Sequence, residues 1–449
     1  VAVLSNGSGI IFFHSPSQGH SRHCDTKAVD QQSAGMEENK EWFETLLARK
    51  SEDDCIVKVL KLESKPFTNK GDNYIANIKR VSMEVLLKSG KKIKKSLIIK
   101  EEPTTEYVKN MLEIYGLSRR EIMMYRDVLP TMEDIMREFG DYTEFMWGTC
   151  LHYTMYDKLI LNDLNEEGYI MQDRKQGLNL EQCKLVMRSL AKFHATSVIM
   201  KHRGFIYMEV FLNHIFENSY CQQLNKKFQS DVFNRLANLI DTWGTEWKPV
   251  ADKIRTKILP NVMEKIVNLM KFDEKKFNVL CHGDCWINNM LFKYGLDGET
   301  PISVKFIDFQ LSFFNSPAFD LKSFLASSPN LEVRRNSIPD LIKVYHETLL
   351  KQLELYSYKG PIITLDCLNE EMKRIELFGL YTTISILPVV LLENTQAVPD
   401  MEELVKNVAE NNSSSVMDNW EEYNKPSPLY YEIIKETITQ SVKNNPLLN

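Results

Sequence analysis

Two short motifs in the second half of the chain most constrain how it can fold. The first, VLCHGDCWINNMLF, spans residues 279–292, and the second, VKFIDFQ, spans 304–310. Asp284 is followed five residues later by Asn289, and Asp308 ends an apolar strand 24 residues after Asp284. Phosphoryl transfer needs one carboxylate to align the attacking hydroxyl, and an amide and a second carboxylate to hold magnesium on nucleotide phosphates. The spacing therefore predicts Asp284 as a catalytic base and Asn289 and Asp308 as Mg²⁺ ligands.

A lysine that holds the nucleotide phosphates is a second requirement of this chemistry. Lys100 ends the strand-like run SLIIK, and with the magnesium loop present we interpret it as that lysine. Its ion-pair partner is expected on the following helix, where Glu121 in RREIMMY is the first choice and Glu113 the second. The alternative for either glutamate is an exposed charge on the helix surface.

Two further segments are expected to contact ATP. Gly71, Asp72 and Asn73 precede a long strand, and the backbone N–H groups of such a turn can cradle phosphate although G-x-G-x-x-G is absent. The segment LILNDL predicts the hinge between two lobes, with adenine held by backbone groups around Asn162 to Leu164. Taken alone, both segments are weak signals.

Four other residues near the motifs have competing interpretations. We expect His282 to shape the loop by hydrogen bonding, the alternative being a contact to phosphate or substrate. We expect His194 in LAKFHATS to be a satisfied buried histidine, and Asp320 to brace the catalytic loop rather than bind metal. Trp286 is expected to pack beneath the loop, the alternative being a wall of the substrate site.

Composition excludes several other classes of protein. The chain has 449 residues, 43% of them hydrophobic, which is ample for a core of two or three domains. A net charge of -6 gives no general field for nucleic acid. Eight scattered cysteines without a CxxC pair favour free thiols over zinc. The most apolar helix, near 377–392, is shorter than the roughly 20 residues that a membrane span needs. We therefore expect a cytoplasmic protein without an evident membrane or protein partner.

The patterns along the chain predict its division. We expect a disordered segment at 1–35, a nucleotide-binding N-lobe at 36–162, and a C-lobe at 163–449 that carries the catalytic loop, the metal site and the acceptor pocket. Strand patterns prevail in the N-lobe around one helix at 105–128, and helical patterns prevail after Asn179, which can cap a helix. The predicted fold is α+β and protein-kinase-like, with a small strand-rich lobe and a larger, mainly helical lobe.

Several motifs together resemble one family. HGDCWINN, FIDFQ, SLIIKEEP, REIMMYRDVLP, LAKFHATS and the GDNY turn occur in order over about residues 40–430, and they resemble the ecdysteroid kinase-like, or CHK kinase-like, family of the choline kinase and aminoglycoside phosphotransferase group. The resemblance implies ATP- and Mg²⁺-dependent phosphorylation of small-molecule hydroxyls. It assigns the base to Asp284, the metal to Asn289 and Asp308, and phosphate binding to Lys100 paired with Glu121.

Two departures from the family pattern are visible. Ala76 stands where a small hydroxyl residue is expected after the GDNY turn, and Asn162 replaces the more usual acidic hinge residue. We expect little effect at Asn162, because the backbone makes the nucleotide contact.

Three functions remain in competition at this point. The leading hypothesis is a kinase for a lipophilic acceptor such as an ecdysteroid or a hydroxylated xenobiotic. The others are a choline- or aminoglycoside-type kinase with a cationic acceptor, and a nonenzymatic nucleotide- or ligand-binding protein.

Overall fold

The structure is a computed structural model. It describes residues 39–48, 56–66, 77–102, 106–155, 158–204, 208–212, 219–391 and 427–444. Three sequence predictions lie outside this part of the chain: the disordered segment at 1–35, the turn of Gly71, Asp72 and Asn73, and the departure at Ala76.

The first part of the chain builds an antiparallel sheet of five strands in the order β1-β2-β3-β5-β4. The strands are β1 Ile56–Pro66, β2 Asn77–Leu87, β3 Lys92–Glu101, β4 Cys150–Thr154 and β5 Lys158–Asn162. One face of the sheet is apolar and packs against helix α1, Lys40–Ala48, in a small separate core. Leu97 and Ile99 of β3 are fully buried in that core. Because side chains alternate along a strand, Lys100 lies on the opposite face.

The prediction of one uninterrupted helix at 105–128 is wrong. Gly116 adopts a left-handed conformation with φ 64°, which ends one helix and begins the next. The segment folds as α2 Glu106–Tyr115, α3 Leu117–Met123 and a π-helical turn at Met124–Val128, and it continues into α4 Leu129–Glu138. Helix α3 carries Glu121.

The rest of the chain is mainly helical. Asn179 caps α5, Leu180–His202, as predicted, and it forms a reciprocal capping box with Gln182. The other helices are α6 Met208–Leu212, α7 Ser219–Asp241, α8 Lys248–Lys253, α9 Val262–Met270, α10 Ala318–Ser327, α11 Leu331–Asn336, α12 Ile338–Leu355, α13 Leu365–Arg374, α14 Glu376–Val390 and α15 Pro428–Asn444.

The motif residues lie between two small sheets set among these helices. One sheet has the order β6-β8-β9 and the other pairs β10 with β7. Their strands are β6 Ile170–Met171, β7 Val279–Cys281, β8 Met290–Tyr294, β9 Pro301–Phe306 and β10 Phe313–Asn315. The loop of the first motif, residues 282–289, joins β7 to β8, and the loop that carries Asp308 follows β9. Because Met290 of β8 pairs with Phe306 of β9, the two loops lie side by side.

The fold is α+β and protein-kinase-like, with a strand-rich N-terminal part and a helical C-terminal part. A large core unites α3 to α5 with the C-terminal helices. Within the described residues, no helix combines the length and the apolar character that crossing a membrane would require.

Candidate active site

Lys100 joins the two parts of the fold. Its Nζ lies 2.7 Å from Glu121 Oε2 on α3 and 2.8 Å from Asp308 Oδ1 after β9. Burial alone would lower the pKa of Lys100, but the two facing carboxylates outweigh it and raise that pKa. Burial raises the pKa of Glu121, and the Lys100 ammonium opposes this rise. Glu121 rather than the exposed Glu113 therefore forms the ion pair with Lys100.

Asp308 is held in an unusual backbone conformation. Its φ of 66° and ψ of 64° are left-handed, and among the described non-glycine residues only Ser357 shares a positive φ. Such a conformation is strained for a residue with a Cβ, and strained residues cluster at functional sites. Gln310 Nε2 donates to Asp308 Oδ2 at 3.3 Å, so both carboxylate oxygens of Asp308 have a fixed neighbour.

The catalytic-loop motif brings Asp284 and Asn289 together. A short 3₁₀ turn at Ile287–Asn289 folds the loop back, and Asn289 Nδ2 donates to Asp284 Oδ2 at 2.8 Å and to its backbone carbonyl at 2.9 Å. Trp286 Nε1 also faces Asp284 Oδ2, at 3.3 Å. Since the amide nitrogen of Asn289 is bound to Asp284, its Oδ1 is the atom that can ligate a cation.

The environment of Asp284 suits a base at neutral pH. Burial and the nearby charge of Asp308 raise the pKa of Asp284 to about 7, and the hydrogen bonds from Asn289 and Trp286 only partly oppose this rise. General bases are most effective when their pKa lies near the working pH. Asp284 can therefore exchange a proton under ordinary conditions.

His282 and Asp320 shape the loop through its backbone, as predicted. Asp320 accepts hydrogen bonds from the N–H groups of His282 at 2.6 Å and Gly283 at 2.9 Å. Burial lowers the pKa of His282, and its ring donates from Nε2 to the carbonyl of Ile307 at 3.0 Å while Nδ1 faces the Asp284 N–H at 3.3 Å. The histidine thus ties the catalytic loop to the strand that leads to Asp308.

A buried cluster of His194, Cys281 and Asp320 lies behind this loop, with potential ligand atoms within 4.8 Å of one another. Its polar groups already have protein partners. His194 bonds Tyr345 Oη at 2.7 Å and Asp320 at 3.0 Å, and the thiol of Cys281 faces the carbonyl of Ser316 at 3.5 Å. Burial would raise the pKa of Asp320, but the bond with His194 and the loop contacts lower it. The cluster braces the loop.

Gly283 allows the two motif loops to approach each other closely. Its φ is 85°, and a Cβ at this position would lie 2.0 Å from the carbonyl oxygen of Leu311. Any side chain would therefore push the catalytic loop away from the Asp308 loop. Our sequence reasoning placed this glycine in the loop but assigned it no role, although its position between His282 and Asp284 was the available signal.

Arg120 is a second residue that sequence reasoning missed. It precedes Glu121 on α3, is buried, and points its guanidinium nitrogens at the carbonyls of Gln310 and Val210, each at 3.4 Å. Burial lowers the pKa of Arg120 to about 10. Its sequence context is that of an ordinary helix-surface charge, so no local signal could have found it.

The predicted hinge residues are Asn162, the last residue of β5, and the two residues that follow it. Leu164 packs with Tyr169, Leu291 and Ile307 in a small apolar cluster apart from the two main cores. Asn162 uses its side chain internally, since Oδ1 accepts from the Thr149 N–H at 2.6 Å and Nδ2 donates to Glu167.

The donor set fits a divalent cation that bridges phosphates. Asp308 and Asn289 offer carboxylate and amide oxygens, which are the hard ligands that Mg²⁺ prefers. Asp308 is about a quarter exposed, so it is accessible from the cleft. The ammonium group of Lys100 beside it offers a counter-charge for an anionic ligand.

Comparisons with known proteins match one family model and several solved structures. The model of the ecdysteroid kinase-like family matches residues 70–358. Among solved structures, the chain is similar to choline kinase from Cryptosporidium parvum Iowa II, with 14% identity, a TM-score of 0.42, and coverage of 86% of this chain and 94% of that chain. It is also similar to the amicoumacin kinase hAmiN, solved with AMP-PNP, Ca²⁺ and Ami, with 9% identity, a TM-score of 0.34, and coverage of 83% and 88%. The search for curated relatives found no match.

Proposed function

The chain belongs to the ecdysteroid kinase-like family, and on that premise we propose that it transfers the γ-phosphoryl group of Mg-ATP to a hydroxyl of a small molecule. Family membership supports the coarser statement, a small-molecule kinase. The transfer from Mg-ATP to a hydroxyl is supported by one observation. The loop of Asp284 and Asn289 leads into β8, and Asp308, which pairs with Lys100, follows the neighbouring strand β9.

Each of these groups has a role in such a transfer. Lys100, held by Glu121, neutralises phosphate charge, and Asp308 and Asn289 hold the Mg²⁺ that the nucleotide brings. The metal supplies neutralisation of the charge that develops on the phosphoryl oxygens. Asp284 accepts a hydrogen bond from the acceptor hydroxyl, orients it, and takes up its proton. Positioning and electrostatics supply most of the rate enhancement in reactions of this kind.

We further propose that the acceptor is lipophilic, such as an ecdysteroid or a hydroxylated xenobiotic. The support for this is family membership. Of the aromatic residues that follow α5 in the sequence, Phe211 is fully buried in the main core, which favours packing over ligand contact at that position.

A transfer assay with γ-labelled ATP tests this proposal. The protein would be incubated with Mg²⁺ and a panel of ecdysteroids, plant phenolic glycosides, choline and an aminoglycoside. We expect label on an ecdysteroid or another lipophilic acceptor, and loss of transfer by at least two orders of magnitude in Asp284→Asn, where the base is absent.

Asp297→Asn is the matched control for the Asp284→Asn variant. Asp297 accepts hydrogen bonds from Glu299 and Thr300 in an exposed turn and does not belong to the site, so its variant should transfer label as the wild type does. Transfer to choline alone would favour a cationic acceptor. Binding of Mg-ATP without transfer to any acceptor in the panel or in tissue extracts would contradict the enzymatic proposal.

A further inference from the structure

The hinge segment after β5 carries three acidic residues, and two of them hold it to the N-terminal sheet. Asp163 is nearly fully buried, and its carboxylate lies 2.7 Å from Arg80 Nε on β2. The same carboxylate accepts from Ser96 Oγ on β3 at 2.7 Å. Glu166 lies 3.0 Å from Lys95 Nζ, also on β3. The hinge is thus attached to the sheet that carries Lys100.

The third acid, Glu167, holds the hinge to the other lobe. Its Oε2 lies 2.8 Å from Lys305 Nζ, and Lys305 is only 8% exposed. Its other oxygen, Oε1, accepts from Asn162 Nδ2, and Asn162 Oδ1 accepts from the Thr149 N–H at 2.6 Å. The ammonium group of Lys305 also lies 4.9 Å from the ring centre of Tyr169. A continuous polar chain therefore runs from the end of β5 to Lys305.

Lys305 lies on the strand that delivers the metal-binding carboxylate. It is the second-last residue of β9, three residues before Asp308, and it pairs with Leu291 of β8. Directly opposed residues share a face of the sheet, so Lys305 lies on the same face as Leu291, which packs against the hinge residue Leu164. The next residue, Phe306, donates its N–H to the carbonyl of Met146 at 2.8 Å. A shift of Lys305 would therefore move β9 relative to the hinge.

We propose that Lys305 is a positioning residue for Mg-nucleotide, acting through Glu167 and Asn162 to set the distance between the hinge and Asp308. The inference rests on the proposed function, because it assumes that the nucleotide spans these two points. It also gives a physical reason why this chain has Asn162 where the family more usually has an acidic hinge residue. An acidic residue at position 162 would face Glu167 with a second carboxylate, whereas the amide of Asn162 donates to it.

Calorimetric titration with Mg-ATP tests the role of Lys305 without any acceptor. Lys305→Met keeps an unbranched side chain of nearly the same length but removes its charge. We expect the Kd for Mg-ATP to rise about tenfold, which corresponds to roughly 1.4 kcal/mol, because Glu167 loses the ammonium group that holds it. Lys305→Arg should stay within about threefold of the wild type, since it can still pair with Glu167.

Lys293→Met is the matched control for Lys305→Met. Like Lys305, Lys293 lies near the ring of Tyr169, with its Nζ 5.4 Å from the ring centre, and near Glu144. Lys293 pairs with Glu144, whereas Lys305 also pairs with Glu167. Its variant should bind Mg-ATP as the wild type does. A folded Lys305→Met variant with wild-type affinity, or equal effects of the two variants, would overturn the inference. Failure of the wild type to bind Mg-ATP would overturn the proposed function itself.

Exchanging the amide and the acid at positions 162 and 167 tests the same chain of polar contacts without changing Lys305. Asn162→Asp alone should weaken Mg-ATP binding about tenfold, because it opposes two carboxylates. Adding Glu167→Gln should restore the affinity to within about threefold, because the new amide can donate to the new carboxylate while its oxygen still accepts from Lys305. A purely structural role would lower the melting temperature without this recovery of Kd. Lack of recovery in a folded double variant would sink the proposal, and this arm also decides the question if Lys305→Met does not fold.

Discussion

Asp284 is the residue whose ionisation should control turnover. Its pKa is raised to about 7 by burial and by the charge of Asp308. A base works only when deprotonated, so kcat/KM should fall about tenfold for each pH unit below 7 and level off above it. Rates measured from pH 5.5 to 8.5 check this expectation. A profile without an inflection near 7 would contradict the assignment of Asp284 as the base, and Asp284→Asn should abolish the dependence together with most of the activity.

The close approach of Gly283 to the carbonyl of Leu311 predicts that a larger residue will not fit there. In Gly283→Ala the new Cβ would meet the carbonyl of Leu311 at 2.0 Å, so the catalytic loop must move, and we expect a loss of activity and a fall in the free energy of unfolding of more than about 2 kcal/mol. Gly298→Ala is the control, because Gly298 also has a positive φ, of 71°, but open space around it. Its variant should lose only about 1–2 kcal/mol and keep its activity. Equal losses in chemical denaturation would show that backbone strain, not the clash, is responsible.

Residues that act through local spacing could be placed from the sequence. The interval from Asp284 to Asn289 and the histidine before them define one loop, and the structure brings these residues together. Arg120 and Lys305 could not be found this way. Their partners, Gln310 and Glu167, are distant in sequence, and a buried charge differs from a surface charge only in three-dimensional context.

Helix α3 acts as an element that presents Glu121 to β3. In Glu121→Gln the charge facing Lys100 is lost, so Lys100 is held less firmly. We expect kcat/KM for ATP to fall by about one to two orders of magnitude, which corresponds to roughly 1.4–2.8 kcal/mol of lost transition-state stabilisation. Glu113→Gln on α2 should be silent, because Glu113 is exposed. Steady-state kinetics with varied ATP would decide, and equal behaviour of the two variants would refute the role of the pair.

Element existence was easier to predict than element boundaries. The amphipathic pattern over 105–128 correctly indicates helix, but the break at Gly116 depends on a left-handed conformation that one glycine in a helical pattern does not announce. The short strand β4 has no fully buried residue in its pattern, so its sequence lacks the alternation that marks a half-buried strand. Its place in the sheet comes from pairing with β5.

At the scale of the whole molecule, the order of strands and helices was sufficient to predict a bilobal α+β fold. It was insufficient to predict how the lobes are joined. Two of the contacts that join them are the ion pair of Lys100 with Asp308 and the hydrogen bond from the Phe306 N–H to the carbonyl of Met146. Neither contact has a periodic signature, because each joins single residues more than a hundred positions apart.

The contact between Lys100 and Asp308 gives a prediction for the whole molecule. A ligand that binds the native state at 100 times its Kd stabilises it by about 2.7 kcal/mol. If Asp308 holds the metal, Mg-ATP at that concentration should raise the melting temperature of the wild type. A hundredfold weaker Asp308→Asn variant should retain only about 0.4 kcal/mol of this stabilisation.

Without ligand, the Asp308→Asn variant should remain folded, because Lys100 keeps Glu121 as a partner at 2.7 Å. Thermal melting at several Mg²⁺ concentrations checks the prediction, with Asp297→Asn as a control that should respond as the wild type does. If Asp308 holds Mg²⁺ on the nucleotide, the stabilisation of the wild type should require the metal and the nucleotide together. An Asp308→Asn protein that Mg-ATP stabilises as strongly as the wild type would place the metal site elsewhere in the cleft.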